Sequence, residues 1–521
     1  FNDTPFIRNH FFEQEFYDVA QVEVLRGPQG TLYGRNATAG VVNVVSAKPT
    51  DQFEAMLSAD WGNYTNRRYE GMVNLPIVGD KLALRIAGEW TKRDGYSFNQ
   101  TTNQPIDGRD LWSSRVTLGW KPVSSVEADL IWEHFQEDDD RLRSGKQLCK
   151  TDLGPGVTVL GGPGKLTAAN GSIVTMPGAA GDVFSLNGAY FSQGCLPASL
   201  YAKESFQVPN GFSLPFINGA SFEGLINTTI DPYSQVSQST NLRNIQSAFE
   251  PIYRANNDTL EFNASWNVTP ALTLYSDTGY NRDFLWSTED YNRFDTSPGI
   301  FTDSGANNRI HYLDANHVFC DPQLGCSDRL VVEDLSNEHS WQISQEFRLT
   351  SNFSGPFNFS AGANLLHYET DEDYYVFSNT FTMISLNNVN CDRIYQPGVT
   401  DNLYCLDNGH SYNFDPSTVD SVPTESPQYI DPNPLTRLNG EGHNYFVSKN
   451  PYVLNSYAGF GEVYYNVTPD LKLTGGLRWT DDEKHVINIP SELLVIGYGY
   501  PSIGTTDQKW NEWTGRFVAN W

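Results

Sequence analysis

Residues 21–49 read QVEVLRGPQGTLYGRNATAGVVNVVSAKP. Two short runs rich in β-branched residues, 22–25 and 41–45, flank a block dense in glycine. Gly27, Gly30, Gly34 and Gly40, with Pro28 among them, mark a place where the chain turns tightly or lets another backbone come close. Arg26 and Arg35 lie inside the block. A phosphate-cradling loop is the competing reading. GPQGTLYG lacks the Lys-Ser/Thr ending of a P-loop and does not fit Gly-x-Gly-x-x-Gly spacing, and no helical pattern follows it.

After Pro49 the pattern becomes alternation. In residues 82–91, Leu82, Leu84, Ile86 and Trp90 face one way while Arg85, Glu89 and Thr91 face the other. The same period of two recurs at 126–133, 260–267, 341–350 and 471–480, and it predicts strands with one apolar and one polar face. A soluble sandwich alternates too, so the connections decide. Short turns at 78–81, 121–124, 268–270, 351–356 and 467–470 contrast with long links at 94–110, 137–256, 284–339, 370–452 and 483–510. Short turns at one end and long loops at the other are the asymmetry of a transmembrane β-barrel, whereas links of that length count against a compact soluble domain. About twelve strands are expected, near 54–62, 67–75, 82–93, 111–121, 126–136, 257–267, 271–283, 340–350, 357–369, 454–466, 471–482 and 511–521.

The glycine block closely resembles the last third of the plug domain of TonB-dependent outer-membrane receptors, whose motif E-x-x-RGPxGTLYGxxAxxGVxNxxxxxP leads into a barrel. Glu23, Arg26, Gly27, Pro28, Gly30, Thr31, Leu32, Tyr33, Gly34, Ala37, Gly40, Val41, Asn43 and Pro49 fill it. The resemblance is specific over 21–49 and diffuse beyond. It implies an all-β fold, a transmembrane antiparallel β-barrel of 22 strands, about 12 of them visible here, with the end of a lumen-filling plug. Residues 1–50 would be the C-terminal part of the plug, and 51–521 a partial barrel with long extracellular loops. It further implies a signal, an energy-coupling box and most of the plug before Phe1, and further barrel strands after Trp521. An open sheet of a dozen strands would leave an edge that lipid does not tolerate.

Function also follows as an implication of the resemblance. Such receptors capture a scarce extracellular ligand and import it using the inner-membrane TonB complex. The ligand is most often a ferric siderophore, less often a cobalamin, a carbohydrate or another organic nutrient. Plug arginines pair with carboxylates of the barrel wall, which makes Arg26 and Arg35 candidates for a latch with Glu346 and Glu462. Outer-membrane lipid and lipopolysaccharide are the expected surroundings. A passive porin-like barrel and a secreted soluble β-enzyme are the rival readings.

Composition agrees with a barrel. Of 521 residues 13% are aromatic, including 27 Tyr, 30 Phe and 12 Trp, as the girdles at the two membrane interfaces require. No stretch approaches the ~18 consecutive apolar residues of a membrane helix. A formal net charge of −28 argues against nucleic acid, whose binding needs Lys and Arg to displace counterions. The acidic runs at 137–140 and 371–373 read as solvated loops. Cys149, Cys195, Cys320, Cys326, Cys391 and Cys405 lie in polar stretches. Nearness in sequence suggests pairs 149–195, 320–326 and 391–405, although six cysteines allow fifteen connectivities. Disulfides imply an oxidising compartment. No Cys-x-x-Cys and no paired histidines suggest a metal site, no cofactor is expected, and no catalytic constellation emerges. Aromatics on the long links, such as Tyr190-Phe191, Tyr374-Tyr375 and Tyr445-Phe446, suit an amphipathic small-molecule ligand.

Overall fold

The computed structural model describes residues 1–34, 37–152, 193–211, 225–226, 231–291, 294–302, 313–321, 323–383, 448–487 and 504–521. Backbone alone is described at 156–160, 164–167, 173–176, 183–187, 384–388, 446–447, 488 and 492–493.

An N-terminal hairpin comes first. Strand β1 (Val19–Arg26) pairs antiparallel with β2 (Gly40–Ser46), from Val19 opposite Ser46 to Arg26 opposite Gly40. Gly40 has a φ of +153°, and a Cβ there would sit 2.5 Å from the Leu25 carbonyl oxygen, so only glycine closes this pairing without a shift. A one-turn helix, α1 (Gly30–Tyr33), tops the hairpin.

Twelve strands then form one antiparallel sheet in which each pairs with the next in sequence. They are β3 (Glu54–Gly62), β4 (Asn66–Val78), β5 (Leu82–Arg93), β6 (Arg109–Val123), β7 (Val126–Asp139), β8 (Ile252–Thr269), β9 (Leu272–Asp290), β10 (Val332–Ser351), β11 (Phe357–Ser378), β12 (Tyr452–Thr468), β13 (Leu471–Asn488) and β14 (Gly504–Asn520). Two short strands, Phe446–Lys449 and Glu492–Leu493, extend β11 sideways at its loop end. Among the described residues β3 and β14 are not paired with each other, and each is an edge. Each of the twelve expected strands is present, most of them longer than alternation alone indicates. The acidic runs 137–140 and 371–373 are a correction. Residues 137–139 belong to β7 and 371–373 to β11, because these strands continue past their apolar bands to carry the loops.

Burial along the sheet is inverted relative to a soluble protein. The apolar face is the exposed one: Ile86, Leu130, Trp132, Leu260, Phe262, Trp266, Ile343, Phe347 and Leu477 are all exposed. The polar face is covered, with Arg85, Glu89, Arg115, Glu133, Glu261, Asn281, Gln342, Glu462 and Arg478 all buried. A wall that turns its hydrocarbon outward and its charges inward suits lipid outside and a polar lumen inside. No described helix is long and apolar enough to cross a membrane, which says nothing about crossing by strands.

Above the long-link ends lies an apolar cluster of Cys149, Leu225, Ile226, Tyr233, Phe294, Ile300, Phe301, Phe319, Leu330, Val332, Val376, Phe381 and Met383. Disulfides Cys149–Cys195 and Cys320–Cys326 tie it. Cys391 and Cys405 lie outside the described residues.

Candidate functional site

The covered face of the wall is covered by the N-terminal fifty residues, and the seam between them is the candidate site. Its contacts begin at the first residues. Asn2 Nδ2 donates to Glu261 Oε2 at 2.8 Å, and the Asn2 side-chain oxygen accepts from the Ser46 amide at 2.8 Å. One buried side chain thus joins wall and hairpin. Gln342 donates to the Pro5 carbonyl at 2.5 Å and accepts from the Ile7 amide at 3.1 Å. Those backbone groups have no strand partner, and the wall glutamine satisfies them instead.

A 3-10 turn, Asn9–Phe12, follows. Phe11 is fully buried against Tyr368 and Leu454, edge-on to Tyr368 at 6.0 Å between ring centroids. That anchor presents Arg8 and His10 to the wall. Arg8 Nη2 lies 3.2 Å from Glu338 Oε1 and 2.9 Å from Glu372 Oε2. His10 Nδ1 lies 2.6 Å from Glu338 Oε2. This hydrogen bond raises the His10 imidazole above its ordinary value, against the opposing effect of burial.

Further along, the polarity of the pairs reverses. Carboxylates of the N-terminal segment meet arginines of the wall and its loops. Glu13 accepts from the Tyr253 hydroxyl at 2.5 Å and lies 3.2 Å from Arg141. Glu15 pairs with Arg68 at 2.8 Å. Asp18 grips Arg85 through two bonds of 2.6 and 2.7 Å, the forked geometry in which Arg is strongest. Arg115 pairs with Glu133 at 2.8 Å, both nearly inaccessible, donates to the Tyr17 carbonyl at 3.2 Å and lies over the Tyr17 ring at 4.6 Å. After the hairpin, Lys48 meets Asp129 at 2.8 Å. Burial acts against the Lys48 charge, but Asp129 and Glu127 outweigh it and raise its pKa. Two cavities open toward the short-turn end, one of about 150 Å³ under Asn2, Asp3 and Lys48, the other of about 570 Å³ beside Thr50 and Lys121.

The glycine block meets the last strands of the wall. Thr31 Oγ1 donates to Glu462 Oε1 at 2.7 Å, and Arg516 donates to Gln29 Oε1 at 2.8 Å. Arg516 also flanks Glu462: Nη2 donates to Oε2 at 3.2 Å, while Nε lies 2.7 Å from Oε1 without hydrogen-bond alignment. Arg478 donates to the Leu32 carbonyl at 3.4 Å, and its guanidinium lies where a Cβ on Gly34 would sit, 2.9 Å from Nη2. Gly34 also has a φ of +75°. No described atom lies within 4 Å of a Cβ built on Gly27 or Gly30, so close approach is confined to Gly34 and Gly40.

The expected arginine pairs take another form. Arg26 ends β1, is exposed, and makes no ion pair with a described residue; Arg35 lies outside the described residues. Glu462 therefore meets the block through Thr31, with its positive partner on β14. Glu346 sits 3.4 Å from Arg348 on its own strand, and Arg348 reaches Asp3 at 4.0 Å. Glu23 bonds to Gln21 and Asn43. Tyr33 is partly buried, which raises its hydroxyl pKa. The ligand aromatics fare similarly. Tyr374 and Tyr375 donate to Asp334 and Asp373 at 3.1 Å each. Tyr190, Phe191, Tyr445 and the Phe446 side chain lie outside the described residues.

No protein-family model matches the chain. Over 120 residues it is 29% identical to the pesticin receptor of Yersinia enterocolitica and to that of Yersinia pestis, a stretch of 23% of this chain and 17% of each receptor. Across 97% of its length it superposes on the ferric yersiniabactin uptake receptor FyuA of Yersinia pestis, with a TM-score of 0.54 and 12% identity. The chain has the fold of the TonB-dependent outer-membrane receptors. The siderophore receptor PiuA of Acinetobacter baumannii is a further match, at a TM-score of 0.49 and 13% identity over 96% of the chain. The chain spans 50% of the FyuA chain and 51% of the PiuA chain, about half of each. These TonB-dependent relatives are transport receptors rather than enzymes, and their place is the outer membrane.

Proposed function

We propose that the protein is a TonB-dependent importer of a ferric siderophore, with residues 1–50 the end of its plug and residues 51–521 part of its barrel. The observation that carries this reading is the inverted wall: charged side chains turned inward, several of them, such as Arg85, Glu261 and Glu338, met by groups of the N-terminal segment. Such a seam closes a lumen largely through polar contacts, with the Phe11 cluster as its apolar anchor. Its neutral hydrogen bonds each contribute about 0.5–1.5 kcal/mol net and those to charged groups about 1.5–3 kcal/mol, because water replaces them when they part. A partner that pulls on the segment can therefore release it stepwise. The named ligand of FyuA, ferric yersiniabactin, supports an iron chelate as the cargo.

Within this reading the contact at the glycine block is Thr31–Glu462–Arg516, and Glu462 is the residue that releases the block. Glu346 acts one strand group away through Arg348 and Asp3. The test is uptake of radiolabelled ferric siderophores by cells carrying the receptor, with and without TonB. Uptake that needs both supports the proposal. Uptake that persists without TonB points to a passive pore and overturns it.

A further inference from the structure

Asp283 is 3% exposed, and neither of its carboxylate oxygens has a hydrogen-bond partner among the described residues. The Ser340 amide approaches it without meeting hydrogen-bond geometry. A buried carboxylate left so is costly unless something compensates it. His10 and a second carboxylate, Glu338, are close. One ligand atom each from His10, Asp283 and Glu338 lie within 4.8 Å of one another. Asp283 stands on β9 and Glu338 on β10, and Asp283 pairs across the strands with Ser340, two residues from Glu338. Both carboxylates therefore share the inner face. His10 is fixed above them by the buried Phe11, whose carbonyl accepts from Asn257 at 2.6 Å.

Charge counting points the same way. Arg8 pairs with Glu338 and Glu372, and Asp283 adds a third carboxylate beside Glu338, with Arg8 the one guanidinium among the described residues that pairs with this group. With a neutral imidazole two negative charges remain. Arg8 occupies Glu338 Oε1, which also accepts from Ser340 Oγ at 2.9 Å, and this leaves Oε2 facing His10.

We propose that His10, Asp283 and Glu338 bind one divalent transition-metal ion of the zinc class, which staples the N-terminal segment to β9 and β10. An imidazole with two carboxylates suits such an ion, whereas magnesium and calcium prefer oxygen alone. Three protein ligands leave a fourth position for water. Metal–ligand bonds of about 2.0–2.2 Å place ligand atoms about 3.3 Å apart. The 2.6 Å separation of His10 from Glu338 must therefore open by about 0.7 Å. Binding displaces the hydrogen shared between those two groups, so a proton is released.

The test uses the detergent-purified protein, stripped with chelator and titrated with Zn²⁺. The expected result is one Zn²⁺ retained per chain after desalting, a higher Tm, and a d–d absorption band when Co²⁺ replaces zinc. Asp283→Asn keeps the shape and removes a ligand. Its zinc affinity should fall by about 100-fold or more, while its metal-free Tm stays level or rises because the orphaned charge is gone. His10→Ala should lose the zinc response as well; if it fails to fold, Asp283→Asn carries the test. The proposal is overturned if the native protein retains no zinc, if Asp283→Asn binds it as tightly as the native protein, or if Mg²⁺ raises the Tm equally.

Discussion

Two regions of this molecule hold chain segments against the same wall by opposite means. The seam under residues 1–50 is ionic and hydrogen-bonded, from Asn2–Glu261 and Asp18–Arg85 to Thr31–Glu462. The loop cluster around Phe301, Phe319 and Tyr233 is apolar and carries Cys149–Cys195. Directional polar contacts trade with water at little net cost. Apolar area does not, since its exposure costs roughly 25 cal/mol per Å². The first region is suited to parting and the second to staying together.

The largest expected effect removes the driest ion pair of the wall, whose arginine also holds Tyr17 of the N-terminal segment. Arg115→Ala leaves Glu133 buried and unpaired and should cost about 3–5 kcal/mol, read as a lower Tm. Arg115→Met with Glu133→Leu should recover most of that loss, which separates a buried-charge penalty from a general packing defect. Reduction of Cys149–Cys195 comes next. It should cost the loop cluster about 2–4 kcal/mol, read as faster protease cleavage within 193–211 and 294–302 and unchanged protection of residues 1–18. Asp18→Asn removes charge from the fork with Arg85 and should cost about 1–3 kcal/mol, read as earlier release of the N-terminal segment in denaturant. Arg26→Ala should change stability by less than about 0.5 kcal/mol. A loss of several kcal/mol there would restore Arg26 to the latch.

The wall was legible in the sequence because period-two alternation is local. LALRIAGEWT carries Ile86 outward and Arg85 inward without knowledge of any neighbour. The glycine block was legible for the same reason, and Gly40 sits where its hairpin needs glycine. The seam was not legible, because its partners are far apart in the chain. Arg8 and Glu338 are separated by 330 residues and Thr31 and Glu462 by 431. His10 lies in FIRNHFF, whose only local signal is aromatic, and its chemistry comes from Asp283 and Glu338 on two distant strands. Arg26 meets no carboxylate among the described residues, because the end of β1 leaves it exposed. A motif position fixes a residue's identity, not the direction of its side chain.

The contrast between the two regions is tested most directly by hydrogen–deuterium exchange of the detergent-purified protein across a urea titration. Peptides covering residues 1–18 should lose protection at a lower urea concentration than peptides covering 294–302 and 319–335. Loss of protection in the loop cluster first, or in both regions together, would contradict the account.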